Sequence, residues 1–330
     1  MQKIVPSKII ISRTDSIGDV LLTLPITAWI KENFPEVHIA FLCRSYTAPL
    51  VRMYSAVDEV IVWDELAQLS ENEQINQLKV FDTFVHVFPN KELAKLAKKA
   101  KIKNRVGTSH RLFHLFTCNI RPNFTRKKSE LHEAQLNFEL VQFLKSFPVP
   151  SLEDLNQYTS YFSAPSVDLP QELHIEGKYI CLHPKSQGSA REWPMENYIE
   201  LSQRLVEKGF SVVFTGTEKE GQLFRSDLPK NDKIIDSTGL LSIEQLVKLI
   251  QGAEGIVACS TGPLHIGGFL GIRAIGLFSP RRPIHPGRWQ ALGAKSIALV
   301  KDPNCPTCVA GQECDCIREI SVEQVLNSLL

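Results

Sequence analysis

The sequence lacks any hydrophobic run able to cross a bilayer. Its longest apolar candidate, residues 20–30, is interrupted by Pro25 and falls short of the ~20 residues that a spanning helix needs. No apolar h-region with a cleavage site follows Met1-Gln2-Lys3, so a cytoplasmic protein is expected. The chain has no P-loop, no H-E-x-x-H and no G-x-S-x-G. Nowhere are two aspartates separated by one residue, so the compact carboxylate pair that would hold a nucleotide-bound Mg²⁺ is missing. No repeat period or low-complexity tract stands out. What is present is ordinary: 330 residues, 43% hydrophobic and 22% charged. That composition excludes disordered, collagen-like and small disulfide-stapled classes, and the length suits two domains with substantial cores.

The net charge of +1 hides an asymmetry, because residues 91–128 hold twelve Lys and Arg against one acid, Glu92. This segment reads either as a solvated helix face with a basic loop or as a patch that concentrates anions. No nucleic-acid motif accompanies it, so a phosphorylated or membrane-borne substrate fits better than nucleic acid. Four of the eight cysteines are scattered (Cys43, Cys118, Cys181, Cys259) and are expected to be reduced. The other four read Cys305-x2-Cys308-x5-Cys314-x-Cys316. Four thiolates can form a structural zinc site, although the spacing is not a common finger pattern. A thiol-rich turn and facultative disulfides are the alternatives.

Short β-rich runs alternate with helical ones in both halves, which predicts parallel sheets flanked by helices. Residues 8–12, 38–43, 59–63 and 81–88 read as strands in the first half, with a further strand beginning at 105. Residues 19–33 read as one helix. Residues 147–173, punctuated by Pro148, Pro150, Pro165 and Pro170, read as a linker. In the second half, 179–183, 211–215, 255–259 and 273–278 read as strands. Residues 195–208, 243–250, 263–270 and 321–330 read as helices. Domains of 1–160 and 161–330 are expected, with a return of the terminal helix to the first domain left open. Open α/β sheets bind ligands at the carboxyl ends of their strands, so the functional residues should follow strands and face a cleft between the halves.

Four strand-end stretches carry chemistry. Arg13-Thr14-Asp15-Ser16-Ile17-Gly18-Asp19 has one glycine and fails the G-x-G-x-x-G fingerprint. Asp19 stands at a helix start, where the dipole favours negative charge and a carboxylate could accept a proton from an attacking hydroxyl. Helix capping by Asp15, Ser16 or Asp19 is the plainer reading. Ser260-Thr261-Gly262-Pro263-Leu264-His265 joins a strand to a helix, and its unpaired N–H groups suit a diphosphate. An ordinary turn with a core histidine is the alternative. Residues 183–194 supply Lys185, Ser186, Gln187, Gly188 and Arg191 as phosphate-binding candidates, or form a solvated loop. Glu218 follows Gly216 at a strand end, where acids hold ribose hydroxyls; a solvated helix start explains it as well.

Together these stretches resemble glycosyltransferase family 9, the heptosyltransferases of lipopolysaccharide core assembly. KIIISRTDSIGDVLLTLP resembles the family's opening signature, HPKSQGSAREWP its mid-chain donor loop and STGPLHIGGFLG its second donor motif. The cysteine cluster also recurs in members. The resemblance implies an α/β glycosyltransferase B-type fold, with two Rossmann-like domains facing a central cleft. It implies inverting transfer that needs no metal or other cofactor, from a nucleotide sugar such as ADP-heptose to a phosphorylated, lipid-linked glycan acceptor. Asp19 matches the general base. Ser186, Gln187, Gly188, Arg191, Glu218, Leu241, Ser260, Thr261, Gly262 and His265 fall on the donor side, within the C-terminal domain. Ser16, Gly18, Arg126, Lys127 and Lys128 are the acceptor-side candidates in the N-terminal domain. The chain departs from the family at Ser260, where an aspartate is usual. That departure motivates one alternative, a non-catalytic sugar-nucleotide-binding protein; a nucleotide-sugar epimerase of similar architecture is another. The implied location is the inner face of the bacterial inner membrane.

Overall fold

The computed structural model describes residues 5–126 and 129–330. The chain divides into two compact units at 163/164, a few residues beyond the expected boundary. In the first unit, β1 (Lys8–Ser12), β2 (His38–Cys43), β3 (Glu59–Val62), β4 (Thr83–His86) and β5 (Asn104–Val106) form one sheet. Its order is β3-β2-β1-β4-β5, with every pairing parallel. Ile9, Ile10 and Ile11 are fully buried, as a strand covered on both faces requires. Each contributes roughly 1.5–3 kcal/mol by leaving water.

The second unit holds β6 (Tyr179–His183), β7 (Ser211–Phe214), β8 (Ile234–Asp236), β9 (Gly255–Cys259), β10 (Arg273–Phe278) and β11 (Ser296–Val300). They form a parallel sheet in the order β11-β10-β9-β6-β7-β8. In both sheets the chain starts near the middle, builds to one side, then crosses to the other. The switch falls between β1 and β4 and between β6 and β9, and each switch point marks a ligand-binding crevice at the strand ends.

Three expectations need correction. Residues 19–33 are not one helix but two, Ile17–Leu21 and Pro25–Asn33. Pro25 has no N–H to continue the first helix, and it starts the second instead. Much of the expected linker belongs to the first unit. Residues 152–161 form a short helix and a 3₁₀ turn with Leu155 and Tyr158 buried, and Tyr54 Oη donates to Tyr158 O at 2.8 Å. Strands β8 and β11 were unforeseen: both are partly exposed sheet edges, β8 has only Ile234-Ile235 as an apolar run, and the run Ile297–Val300 of β11 was passed over. The terminal helix Val322–Leu329 packs against the helix Met195–Glu207 and β10, burying Val325, Leu326 and Leu329 in the second unit's core.

Candidate functional site

The loop after β1 is organised by a buried cation. Arg13 is 3% exposed, and its guanidinium reaches three carboxylates. Nε donates to Asp15 Oδ1 at 2.7 Å, Nη1 donates to Glu133 Oε1 at 2.9 Å and Nη2 donates to Asp19 Oδ1. Burial opposes the charge on Arg13, but Asp19, Asp15 and Glu133 outweigh it and raise its pKa above the ordinary arginine value. Asp15 moves the other way. Burial, with the nearby Asp19 charge, pushes it up to about 6 although Arg13 opposes the shift.

Asp19 lies in the first turn of the helix Ile17–Leu21 with its side chain 15% exposed. Ser16 occupies the N-cap position, yet its side chain caps no backbone N–H; the hydroxyl donates to Asp19 Oδ2. Capping is therefore not what Ser16 does, and Asp19 is oriented by two side chains. Thr23 Oγ1 donates to Asp19 O at 2.8 Å, and Asn137 Nδ2 donates to Leu22 O at 3.0 Å. Gly18 is buried beneath this turn. Arg126 points inward. It pairs with the fully buried Glu133 at 2.8 Å, donates to Asn137 Oδ1 at 3.0 Å and lies over the Phe124 ring. Lys127 and Lys128 lie outside the described residues.

In the second unit the loop after β6 is built on backbone geometry. Gln187 and Gly188 have φ of +50° and +79°, the left-handed region that favours glycine at the second position. Glu192 accepts from Ser186 N at 2.8 Å and pairs with Lys185 at 3.1 Å. The Ser186 hydroxyl donates within the loop, 2.9 Å from Ala190 O and 3.0 Å from Glu192 Oε1. Arg191 Nη1 donates to Cys314 O.

Gly188, Arg191 and Ser260 line a pocket of about 300 Å³ together with Ser279, Arg281 and Arg282. Among the described residues no carboxylate lines it. Thr261 is the N-cap of the helix Gly262–Phe269 without a side-chain cap, which leaves the first-turn amides for an anion. His265 is buried within that helix.

Glu218 and Leu241 are outside the pocket lining. Glu218 is half exposed and takes both terminal nitrogens of Arg225, at 2.8 and 3.1 Å. Those bonds, with one from Gln222, hold its carboxyl below the usual value. Gly239 makes room for it: φ is +77°, and a Cβ there would meet Glu218 Oε2 at 2.8 Å.

The four clustered thiols do converge. Their Sγ atoms all lie within 4.8 Å of one another, a set able to hold a metal ion.

Several candidate residues escaped sequence reading. Arg13 stood inside the first motif, but its partner Glu133 is 120 positions away. Arg281 and Arg282 stand three and four residues past the end of β10. The strand-end rule that singled out 260–265 would have found them too.

The profile of glycosyltransferase family 9 (heptosyltransferase) matches residues 89–316. A Haemophilus influenzae protein provisionally designated a glycosyltransferase is 29% identical over 97% of this chain and 94% of its own length. Escherichia coli lipopolysaccharide heptosyltransferase 2 is 21% identical over 84% of each chain. Among solved structures, E. coli ADP-heptose lps heptosyltransferase II superposes with a TM-score of 0.74 at 18% identity, covering 98% of this chain and 97% of the other.

Proposed function

This chain belongs to glycosyltransferase family 9, and from that premise we propose that it transfers a heptose with inversion from ADP-heptose to a lipid-linked, phosphorylated glycan, without a catalytic metal. Glycosyl transfer of the heptosyltransferase kind follows from the family and the B-type fold. The donor, the stereochemistry and the acceptor are our reading. The observation that carries it is the Asp19 carboxylate, gripped by Arg13 and Ser16 at the strand-end switch point yet still in contact with solvent.

Asp19 takes the proton of the acceptor hydroxyl as that oxygen forms its bond to the anomeric carbon. Arg13 and Ser16 fix the carboxylate before the reaction, which removes the cost of orienting it. The bond to the donor diphosphate breaks, and negative charge grows on the leaving oxygen. Arg191, Arg281 and Arg282 with the amides at Thr261-Gly262 are the groups suited to that charge. This cationic set does the work that a carboxylate-bound ion does elsewhere. Ser186, Gln187 and Gly188 shape the loop beside the phosphates, Ser260 and His265 complete the second donor motif, and Glu218 and Leu241 serve the nucleoside. Ser16, Gly18 and Arg126 support the acceptor side.

Asp19→Asn should keep the fold and the donor affinity while turnover falls about 10²–10⁴-fold. Undiminished turnover in the folded variant rules the mechanism out.

No described helix is long and apolar enough to cross a membrane. Contact with a lipid surface has a local basis instead. On the short helix Leu112–Thr117, Leu112, Leu115 and Phe116 are 75%, 46% and 70% exposed. It packs beside the helix Lys91–Lys99, whose Lys95, Lys98 and Lys99 face solvent. Apolar insertion flanked by cations suits an anionic leaflet. Sedimentation with phosphatidylglycerol vesicles should fall severalfold in Leu112→Ser/Phe116→Ser, and neutral vesicles should bind neither form.

A further inference from the structure

The segment 301–320 has little regular structure of its own, a single helical turn at Pro306–Val309. Its interior consists of thiols: Cys305, Cys308 and Cys316 are buried and Cys314 closes the group. Cys314 Sγ lies 3.4 Å from Cys305 Sγ and 3.1 Å from Cys316 Sγ, and all four cysteines are free. Four sulfurs at ~2.3 Å from a tetrahedral ion stand roughly 3.8 Å apart, a spacing between these two separations and the 4.8 Å within which all four sulfurs lie. Four sulfur donors without a nitrogen or oxygen select Zn²⁺ or Fe²⁺ among biological cations.

The same segment forms part of the pocket wall. The Cys314 carbonyl accepts the Arg191 guanidinium, and Ile317, next to Cys316, lines the pocket beside Arg191. Trp193 Nε1 donates to Ile320 O at 2.8 Å, which ties the far end of the segment to the same loop.

We propose that Cys305, Cys308, Cys314 and Cys316 hold one tetrahedral Zn²⁺ or Fe²⁺ ion, and that this ion sets the position of Arg191 in the pocket through the Cys314 carbonyl. On binding, the thiols release their protons to solvent and four S–metal bonds form, with no change of oxidation state. The ion performs no step of the transfer; it is a positioning device for a phosphate-binding side chain. The second half rests on the diphosphate reading of the pocket, and the first half does not.

The test begins with elemental analysis of the full-length protein purified without added metal. About one ion per chain is expected; elemental identity and visible absorption tell zinc from iron. The ion should be lost in Cys316→Ser. Absence of both metals, with four thiols reacting freely in the native protein, overturns the site. That measurement on the unaltered chain stands even where a cysteine variant fails to fold.

Calorimetry with ADP tests the coupling. Chelation should weaken ADP about tenfold in the unaltered protein and leave Arg191→Ala unchanged, since the ion acts through that residue. Equal weakening in both proteins, or none in either, overturns the coupling. A metal-loaded protein that binds no ADP removes the diphosphate reading and the coupling with it, while the metal count still decides the site.

Discussion

In the first unit the candidate base is held by charge, whereas in the second the candidate phosphate contacts are held by backbone. Arg13 is almost wholly buried and is matched by Asp15, Asp19 and Glu133. Arg191 stands at a pocket wall, fixed through a carbonyl in a segment with almost no helix or strand. The first arrangement favours a single side-chain geometry, because moving any member strands a desolvated charge. The second leaves room to adjust, because a loop held by turns and thiols can shift around a large ligand. A base must sit within hydrogen-bond reach of one proton, while a diphosphate tolerates several donor positions. The contrast follows those needs.

The difference can be broken most forcefully at Arg13. Arg13→Met removes the charge facing three carboxylates and takes from the buried Glu133 one of its two guanidinium partners, Arg126 being the other. A stability loss of about 3–5 kcal/mol is expected in urea unfolding. A loss below about 1 kcal/mol would erase the distinction drawn between the units. The matching change in the second unit, Glu192→Ala, frees Ser186 and Lys185 from their shared acceptor. There the expected cost is only about 1 kcal/mol, with donor affinity falling more than stability.

Asp15→Asn gives the clearest sign. The Asp15 carboxyl rises from 3.8 to about 6 on folding. Its contribution to stability is complete below pH 3.8 and is lost as pH climbs through 6, because the folded state holds the proton longer. Thermal unfolding followed between pH 4 and 6 should therefore show a downward slope with rising pH that is shallower in the variant.

Most of the strand framework was legible because buried parallel strands need continuous apolar runs. KIIIS and YICLH meet that need, while the edge strand Ile234–Asp236 does not. Asp19 was legible from its place after a strand, but its orientation by Arg13 was not. Local sequence cannot show that a guanidinium two residues from Asp15 also meets Glu133, which arrives from a distant helix. The cysteine cluster announced itself by the crowding of Cys305, Cys308, Cys314 and Cys316 into one short stretch. Its contact with Arg191 did not, since a carbonyl acceptor leaves no trace in residue identity. Glu218 is the converse case, a residue whose strand-end place was legible and whose partner was not. Read for ribose, it is engaged with Arg225 in this structure, and Arg225 also holds Asp236 and Thr238.

The interruption at Leu22–Leu24 has a consequence for the length of the chain there. Leu22 and Leu24 keep helical dihedral angles, so the path between the two helices still winds like a helix. Each residue along such a path rotates its side chain by about 100°. Inserting or deleting one residue between Asp19 and Pro25 would swing the carboxylate to another face while leaving every side chain of the turn chemically intact. For that reason the interval of this turn is as much a part of the apparatus as the acid itself.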